Sequence, residues 1–403
     1  MNMFVGVGTS RNENSFEAGK GAVKESLTAL KGEKADILIV FASPRFKHAE
    51  LLKGIQSVTG NVPMVGGTTA GEVSNNGFEE GSVVIMAIHS DKIKFKAGIG
   101  QNVHKDAKKA GIALVEDLEK RTADFAQAKT LLMFNDPLAG DGLEIIRGIQ
   151  EKVGEDFEIV GGALGDGNDF KKIYQYYNGK AYTDSVVGLL VSGRDIDTVT
   201  GMGSGWKSIG NRFRCTKAEG AVVQSFDNTP ALDIYEAFLG KEKSQKLPAI
   251  GLEYPFGIID EKAKVGNKEY IQVRCPLAVD RKKKTITLAA AIPQGKDVTL
   301  TVSSRQEVID SAKSVAKMVK KDLKGSNPEL IMMFSCVASK MVLGPRAPEE
   351  VEAVRGVLGK DIPIIGFYTY GEIGPIDKKK KELKQTRWHN ETVVLWALSK
   401  KIK

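Results

Sequence analysis

Residues 61–72 read NVPMVGGTTAGE, an apolar run that ends in paired glycines, two threonines, an alanine, a third glycine and a glutamate. The pattern predicts a β-strand followed by a tight loop, because glycine lets the backbone turn with positive φ and approach a neighbour closely. Backbone N–H groups of such a loop, beside Thr68, Thr69 and Glu72, can hold a small polar ligand. A single Gly-Gly pair usually marks only a turn. The interpretation as a ligand-binding loop therefore depends on whether the pattern recurs along the chain.

The same plan recurs twice, as EIVGGALGDG at residues 158–167 and IPIIGFYTYGE at residues 362–372. Each copy has an apolar strand, a polar turn, a helix, the glycine loop and a closing strand in the same order. The closing strands are SVVIMAIH, SVVGLLVS and TVVLWALS, at residues 82–89, 185–192 and 392–399. The recurrence of these features in the same order, three times, indicates duplication. The fold class predicted is α/β with mixed α+β features, in which repeated strand–helix–strand units form mixed sheets with helices packed on them.

A further strand and an amphipathic helix are expected ahead of each copy. We place the three strands at residues 4–8, 94–100 and 285–292. The third helix has Ile309, Ala312, Ala316, Val319 and Leu323 at helical spacing. The breaks at residues 90–92 and 193–195 predict hairpins, and the longer spacing before the third glycine loop predicts an insertion over about 201–280. The strand at 393–398 is expected to pair with residues 4–8, since an unpaired apolar edge invites aggregation.

The bulk composition excludes several classes of protein. The chain has 403 residues, 42% of them hydrophobic and 27% charged, with a formal net charge of +8. Much of the positive excess lies in RKKK at 281–284 and KKKKELK at 378–384, where no aromatic residues alternate with the basic ones, so we expect no nucleic-acid partner. No apolar run approaches about 18 residues and no export signal precedes residue 20. We therefore expect a cytoplasmic protein without membrane insertion.

Cysteine, histidine and glycine patterns argue against bound cofactors. Cys215, Cys275 and Cys336 are widely spaced and odd in number, so neither a disulfide framework nor a CxxC metal site is expected. Paired GxG motifs lack the third glycine of a dinucleotide-binding loop, and no Walker lysine motif is present. We predict no metal and no cofactor.

Several of these stretches together resemble the FIST sensory domains. They are VPMVGGTTAGE, FDNTPALDIYEAFLG at 226–240, the strand around Arg274, IPIIGFYTYGEIGP at 362–375 and HNETVV at 389–394. The resemblance implies a FIST-N-like domain over residues 1–225, with two copies of the repeat, and a FIST-C-like domain over 226–403, with the third copy and the insertion. It also implies an intracellular signalling sensor for small ligands such as amino acids or small carboxylates. No output module is recognised, so a separate signalling partner protein is expected.

The third glycine loop differs most from the others and is the expected selective pocket. The predicted ligand-binding residues are Gly366, Tyr368, Tyr370, Gly371, Glu372, Arg274, Gly66, Gly67, Thr68, Thr69 and Glu72. Arg274 suits a carboxylate, with an ion pair to Glu372 as the alternative. Glu372 suits an ammonium group, with capping or local hydrogen bonding as the alternative for it, for Glu72 and for Asp166. The two tyrosines contact ligand or serve packing.

Two other functions compete with the sensor. Cys336 ends a strand and His389 precedes another, so a thiol nucleophile with a histidine base is one alternative. A buried, inert cysteine is the contrasting interpretation, and no orienting residue or oxyanion motif supports catalysis. We therefore expect no enzymatic activity. A ligand-free interaction or adaptor protein is the remaining alternative.

Overall fold

The computed structural model describes residues 2–122, 125–265, 268–377 and 383–401; the side chains of residue 249 and of 260–269 are not part of that description. The first copy of the repeat consists of β1 Met3–Ser10, α1 Ser15–Thr28, β2 Ile37–Ala42, α2 His48–Thr59, β3 Met64–Thr68, β4 Glu72–Ser74, β5 Gly77–Glu79 and β6 Val83–Ser90. The second consists of β7 Lys94–Gln101, α3 Ala107–Arg121, β8 Ala128–Asn135, α4 Gly142–Val153, β9 Glu158–Gly162, β10 Gln175–Tyr177, β11 Lys180–Tyr182 and β12 Ser185–Ser192.

The third copy begins with β13 Ile196–Gly203 and is then interrupted. The inserted elements are β14 Lys207–Glu219, β15 Val222–Phe226, β16 Thr229–Pro230, α5 Ala231–Ser244, β17 Phe256–Val265, β18 Lys268–Arg274, β19 Pro276–Asp280, β20 Thr285–Leu288 and β21 Asp297–Val302. The copy resumes with α6 Arg305–Asp322, β22 Pro328–Cys336, α7 Val337–Leu343, α8 Ala347–Leu358, β23 Ile364–Thr369, β24 Glu372–Pro375, β25 Thr386–His389 and β26 Val393–Lys400. Short 3-10 helices cover Phe125–Gln127, Ala249–Leu252 and Gly344–Arg346.

The three copies build three equivalent six-stranded sheets. Their strand orders are β1-β6-β2-β3-β10-β11, β7-β12-β8-β9-β24-β25 and β13-β26-β22-β23-β4-β5. In each sheet one pair is parallel (β2 with β3, β8 with β9, β22 with β23) and its neighbours are antiparallel. The predicted mixed α+β fold, with repeated units and mixed sheets, is confirmed.

A hairpin from each copy completes the sheet of a different copy. The β4–β5 hairpin of the first copy pairs with β23 of the third, β10–β11 of the second with β3 of the first, and β24–β25 of the third with β9 of the second. Because this exchange closes a cycle, no sheet is completed by residues of one copy alone.

Two predicted hairpins are wrong for a related reason. The break at residues 90–92 joins β6 to β7, but β6 pairs with β1 and β2 whereas β7 pairs with β12. The break at 193–195 likewise joins β12 to β13, which pairs with β26. Both breaks carry the chain from one sheet to the next, and a short polar connection looks the same in sequence whether or not its strands pair.

The prediction that the last strand pairs with residues 4–8 is also wrong. β26 lies between β13 and β22, and β1 pairs with β6. This error follows from the wrong placement of the first strand of the third copy, which we predicted at residues 285–292. That strand is β13, and residues 285–292 instead contribute β20 to the inserted sheet. The insertion consequently runs from β14 to β21, beginning and ending later than expected, and RKKK forms the tip of the β19–β20 hairpin as predicted. The other basic run, 378–384, lies largely outside the described residues.

The inserted strands form an eight-stranded sheet with the order β18-β17-β21-β14-β15-β20-β19 and β16 paired to β15. Cys275 alone separates β18 from β19, at opposite ends of this order, so the sheet curls back on itself. Its interior packs around Phe226, Tyr235 and Phe256, with α5 contributing Tyr235.

One hydrophobic core joins the three repeat sheets. It contains Phe41, Phe134 and Phe334, which occupy the same position in β2, β8 and β22. The ring centroids of Phe41 and Phe134 are 5.2 Å apart and those of Phe134 and Phe334 are 6.0 Å apart. The helices pack on the outer faces, in separate clusters for each copy. In the described part of the chain no helix is both long and apolar enough to cross a membrane.

Candidate functional site

The three glycine loops, residues 66–72, 161–167 and 366–372, are bonded to each other in a ring. The backbone N–H of Ala70 donates to the carbonyl of Tyr368 at 3.2 Å, that of Ala163 to Gly371 at 2.8 Å, and that of Gly165 to Thr68 at 3.0 Å. Backbone groups that we expected to face a ligand are therefore partly used to join the three copies.

The first glycine of each loop is required by close backbone packing. A Cβ atom would lie 1.9 Å from the carbonyl oxygen of Val40 at Gly66, 2.1 Å from that of Met133 at Gly161 and 1.9 Å from that of Met333 at Gly366. These contacts are with the neighbouring parallel strand and leave no room for a side chain. The shared glycine thus serves strand packing in all three copies.

Glu72 and Glu372 make equivalent local networks. Glu72 accepts from the Thr69 hydroxyl at 2.5 Å and from the Ser82 hydroxyl at 2.7 Å. Glu372 accepts from the Thr369 hydroxyl at 2.5 Å and the Thr392 hydroxyl at 2.8 Å. Burial raises the pKa of each glutamate to about 7. The local hydrogen-bonding role that we left open is thus formed at both positions; contact with a ligand stays a prediction.

The remaining loop residues are held by packing and backbone bonds. The Tyr368 hydroxyl is buried and donates to Glu350 at 2.6 Å, while that of Tyr370 donates to Asp166 at 2.6 Å. Asp166 also accepts from the backbone N–H groups of residues 170–172, so it makes local hydrogen bonds within an irregular loop. Gly67 pairs with β10, the Thr68 hydroxyl accepts from the Tyr174 N–H at 3.1 Å, and the Gly371 N–H donates to Thr369 at 3.1 Å.

Arg274 lies at the junction where the curled inserted sheet meets the repeats. Its side chain is 6% exposed, its Nε donates to the carbonyl of Ala291 at 3.2 Å and its Nη1 to that of Val273 at 2.9 Å. The expected ion pair with Glu372 is wrong, because the guanidinium forms an ion pair with no carboxylate of the described residues. Burial lowers its pKa to about 10.

A buried group of thiols and carboxyls adjoins Arg274. The thiol of Cys275 donates to Oε1 of Glu391 at 2.6 Å, and the thiol of Cys336 bonds the carboxyl of Glu372. Burial raises the pKa of Glu391 and of both thiols well above their ordinary values. Oε2 of Glu391 has no hydrogen-bond partner among the described residues. The described residues of the other copies form no counterpart of this group, since Cys275 belongs to the insertion.

The alternative of a Cys336–His389 pair is not formed. Nδ1 of His389 bonds the hydroxyl of Tyr270 at 2.6 Å and Nε2 bonds the carbonyl of Gly374 at 2.9 Å, so both ring nitrogens have partners. Burial lowers the pKa of His389 to about 4. No hydrogen bond joins the His389 ring to the Cys336 thiol, so the two described residues do not form a nucleophile and its base. Within the described residues no group of three metal-binding side chains is arranged to hold an ion.

Sequence reasoning missed Glu391 and Cys275. The available signal was positional: Gly81, Asp184 and Glu391 each precede the closing segment of their copy, and their φ angles are 69°, 53° and 57°. A left-handed conformation is uncommon for glutamate. Its presence in the third copy, where the first has glycine, marks a position at which the side chain serves a purpose.

Comparisons with known proteins match this architecture to a family. Models of the FIST N domain and the FIST C domain match residues 36–229 and 231–375. Two uncharacterized proteins of Mycobacterium tuberculosis, from strains CDC 1551 and H37Rv, are each 24% identical over 220 residues, which is 54% of this chain and 56% of theirs.

Solved structures of low sequence similarity also align with the chain. Cyanuric acid hydrolase from A. caulinodans aligns over 100% of both chains with 5% identity and a TM-score of 0.39. PurLQS from Thermotoga maritima aligns over 99% of this chain and 72% of its own at 10% identity and a TM-score of 0.23. These scores are too low to support an argument. The two domain models together span most of the sequence, and the chain belongs to the FIST family.

Proposed function

We propose that this chain is a small-ligand sensor of signal transduction and that Arg274 binds a carboxylate of its ligand. FIST domains are sensory domains of signal transduction. The observation that carries the ligand assignment is the buried guanidinium of Arg274, which bonds two backbone carbonyls and no carboxylate of the described residues. Arginine is seldom buried unless it is paired, and a carboxylate fits its planar fork with two parallel hydrogen bonds.

The position of Arg274 suits a sensor. It lies where the inserted sheet, the third copy and the Asp141 segment of the second copy come together, and the Asp141 carboxylate acts on its pKa. Ligand sites occur preferentially at such interfaces. A ligand bound there contacts parts of the chain that are distant in sequence, so binding can change how they pack and how a partner protein recognises them.

The test is a thermal-shift and calorimetric screen of small carboxylates and amino acids. A ligand at a hundred times its dissociation constant stabilises the native state by about 2.7 kcal/mol, which in a chain of this length raises the melting temperature by roughly 3 °C. Arg274→Lys keeps the charge but loses the fork and is expected to weaken binding at least tenfold. Arg45→Lys is the control, because Arg45 also bonds backbone carbonyls but lies on the surface. Equal affinity in both variants would refute the assignment.

Amino acids form the narrower proposal. If Glu372 receives the ammonium group, Glu372→Gln weakens an amino acid more than the corresponding simple carboxylate, and more than Glu72→Gln does. The two glutamates have matching hydrogen-bond networks. The comparison of the two variants therefore separates contact with the ligand from local hydrogen bonding. Equal losses of amino-acid affinity in both variants would mean that both glutamates serve local hydrogen bonding only.

A further inference from the structure

A cleft of about 650 Å³ lies between α6, β18 and the segment that joins β13 to β14. This volume is in the range of small-molecule sites. The cleft exists where the inserted sheet stands against the third copy. In the first two copies the strand that corresponds to β13 leads directly to its helix, so neither has an equivalent wall.

Apolar and aromatic side chains form one part of the cleft wall. Met202, Ile271, Val315 and Met318 contribute the apolar part, and Met318 is 37% exposed. Trp206 is 5% exposed, and its Nε1 has no hydrogen-bond acceptor among the described residues. The apolar wall therefore favours a ligand with an apolar body that covers Met318.

The charge that remains in the cleft is negative. Lys207 is paired with Glu307 through a 2.5 Å contact between Nζ and Oε1, and the same glutamate caps α6 through the Ser304 N–H. Asp310 accepts a hydrogen bond from the side chain of Gln306 at 3.1 Å and forms an ion pair with no basic residue of the described part of the chain. One carboxylate is thus left without a counter-charge on the cleft wall.

We propose that this cleft binds a small organic cation with an apolar body. The carboxylate of Asp310 attracts cations, and so do aromatic rings, of which Trp206 and Tyr270 line the cleft; Met202 and Met318 accommodate the body. The site is distinct from the carboxylate contact at Arg274, because Arg274 is not among the residues that line the cleft.

The cleft is also connected to the buried thiol and carboxyl group. Tyr270 lines the cleft and its hydroxyl bonds His389 at 2.6 Å. Ser204 lines it too, and its hydroxyl donates to the carbonyl of Glu391 at 2.9 Å. A cation in the cleft therefore contacts two residues that hold the segment carrying His389 and Glu391.

The test compares the binding of three six-carbon probes by titration calorimetry. Hexylamine is a cation at neutral pH, 1-hexanol is neutral and hexanoate is an anion. Hexylamine is expected to bind more tightly than 1-hexanol. The variants Met318→Glu and Met318→Lys form a matched pair at a half-exposed position. They should shift the hexylamine affinity in opposite directions, each by about three- to fivefold. Asp310→Asn should weaken it similarly, whereas Asp361→Asn, in an exposed turn, should not.

The outcomes separate this proposal from the carboxylate site. Hexylamine affinity that depends on Met318 and Asp310 but survives Arg274→Lys supports the cation site, whatever the fate of carboxylate binding. Absence of hexylamine binding, equal affinity for 1-hexanol, or a shift in the same direction from both Met318 variants overturns it. Melting temperatures of the free variants confirm that each one is folded.

Discussion

The thiol of Cys275 donates to Oε1 of Glu391 across 2.6 Å and so joins the inserted sheet to the third copy of the repeat. Both residues are buried, and the other oxygen of Glu391 has no partner among the described residues. Within the described chain, the Cys275 thiol is therefore the group that donates a hydrogen bond to the Glu391 carboxyl. Its removal leaves a buried acid unsatisfied, which is expected to cost about 1–3 kcal/mol.

The first prediction tests this bond by substitution. Cys275→Ala removes the donor and should lower the free energy of unfolding by about 1–3 kcal/mol. Cys275→Ser retains a donor in a similar volume and should lose less. Urea unfolding of the two variants measures the difference. An equal loss in both would mean that packing, not the hydrogen bond, fixes the junction.

The second prediction concerns pH. Burial raises the pKa of Glu72, Glu350 and Glu372 to about 7. A carboxyl whose folded pKa is raised binds its proton more tightly in the folded state. Its contribution to stability is therefore fully present below the unfolded pKa of about 4.5 and is lost as pH rises through about 7. For Glu372 the full change is about 3 kcal/mol.

Glu372→Gln isolates this contribution. Glutamine can accept from Thr392 through its oxygen and donate to Thr369, so the network is kept without a titrating group. The variant should show a smaller loss of unfolding free energy between pH 5 and 8 than the parent chain. The difference between the two chains is the relevant quantity, because burial lowers the pKa of His48 and His389 to about 4 and these groups act in the opposite direction. Parallel pH profiles would contradict the prediction.

The local sequence pattern predicted the positions of the helices and strands better than it predicted which strands pair with each other. The stripe from Ile309 to Leu323 located α6, and apolar runs located the strands around each glycine loop. Pairing failed because it depends on which surfaces meet in three dimensions. The exchange of β4–β5, β10–β11 and β24–β25 among copies leaves no trace in hydrophobic periodicity.

The candidate site was predicted in part for the same reason. Arg274 stood out because arginine is rare in an apolar strand, and the structure places it in a buried position where no carboxylate of the described residues pairs with it. Tyr368 was singled out by comparison between copies, but its hydroxyl donates a hydrogen bond to the buried carboxyl of Glu350. Cys275 and Glu391 are far apart in sequence, and their contact arises only when the inserted sheet docks on the third copy.

The third prediction uses glycines at the same position in the helices of two copies. A Cβ at Gly54 would lie 2.0 Å from the carbonyl oxygen of Phe16, in the facing helix, whereas a Cβ at Gly356 meets nothing within 4 Å. Gly54→Ala should destabilise the chain strongly, because α1 and α2 have to separate. Gly356→Ala should stabilise it by about 0.5–1 kcal/mol through helix propensity. Thermal unfolding gives both values, and stabilisation by Gly54→Ala would refute the close approach.

The fourth prediction concerns thiol reactivity. Cys215, Cys275 and Cys336 are all buried, and burial raises the pKa of each thiol. Thiolate is the reactive form, so iodoacetamide at neutral pH should label the folded protein slowly and the urea-unfolded protein quickly at all three positions. Mass spectrometry after timed quenching locates the label. Fast, selective labelling of Cys336 in the folded chain would revive the nucleophile hypothesis.

The fifth prediction is that residues 1–225 and 226–403 do not fold when they are produced separately. The β4–β5 hairpin of the first segment completes the sheet of β23, and β24–β25 of the second completes that of β9. The division also separates β14 and most of β15 from their partners β21 and β20. Each segment alone would expose unpaired strand edges, which favour aggregation.

Co-expression supplies the control for this experiment. Produced together, the two segments can restore every exchanged hairpin and should yield a soluble complex that co-purifies and unfolds in one cooperative transition. Each segment alone should be insoluble or lack a cooperative transition in circular dichroism. A monomeric, cooperatively folding fragment 1–225 would show that the exchanged hairpins contribute little, and that the two segments are independent domains despite the shared sheets.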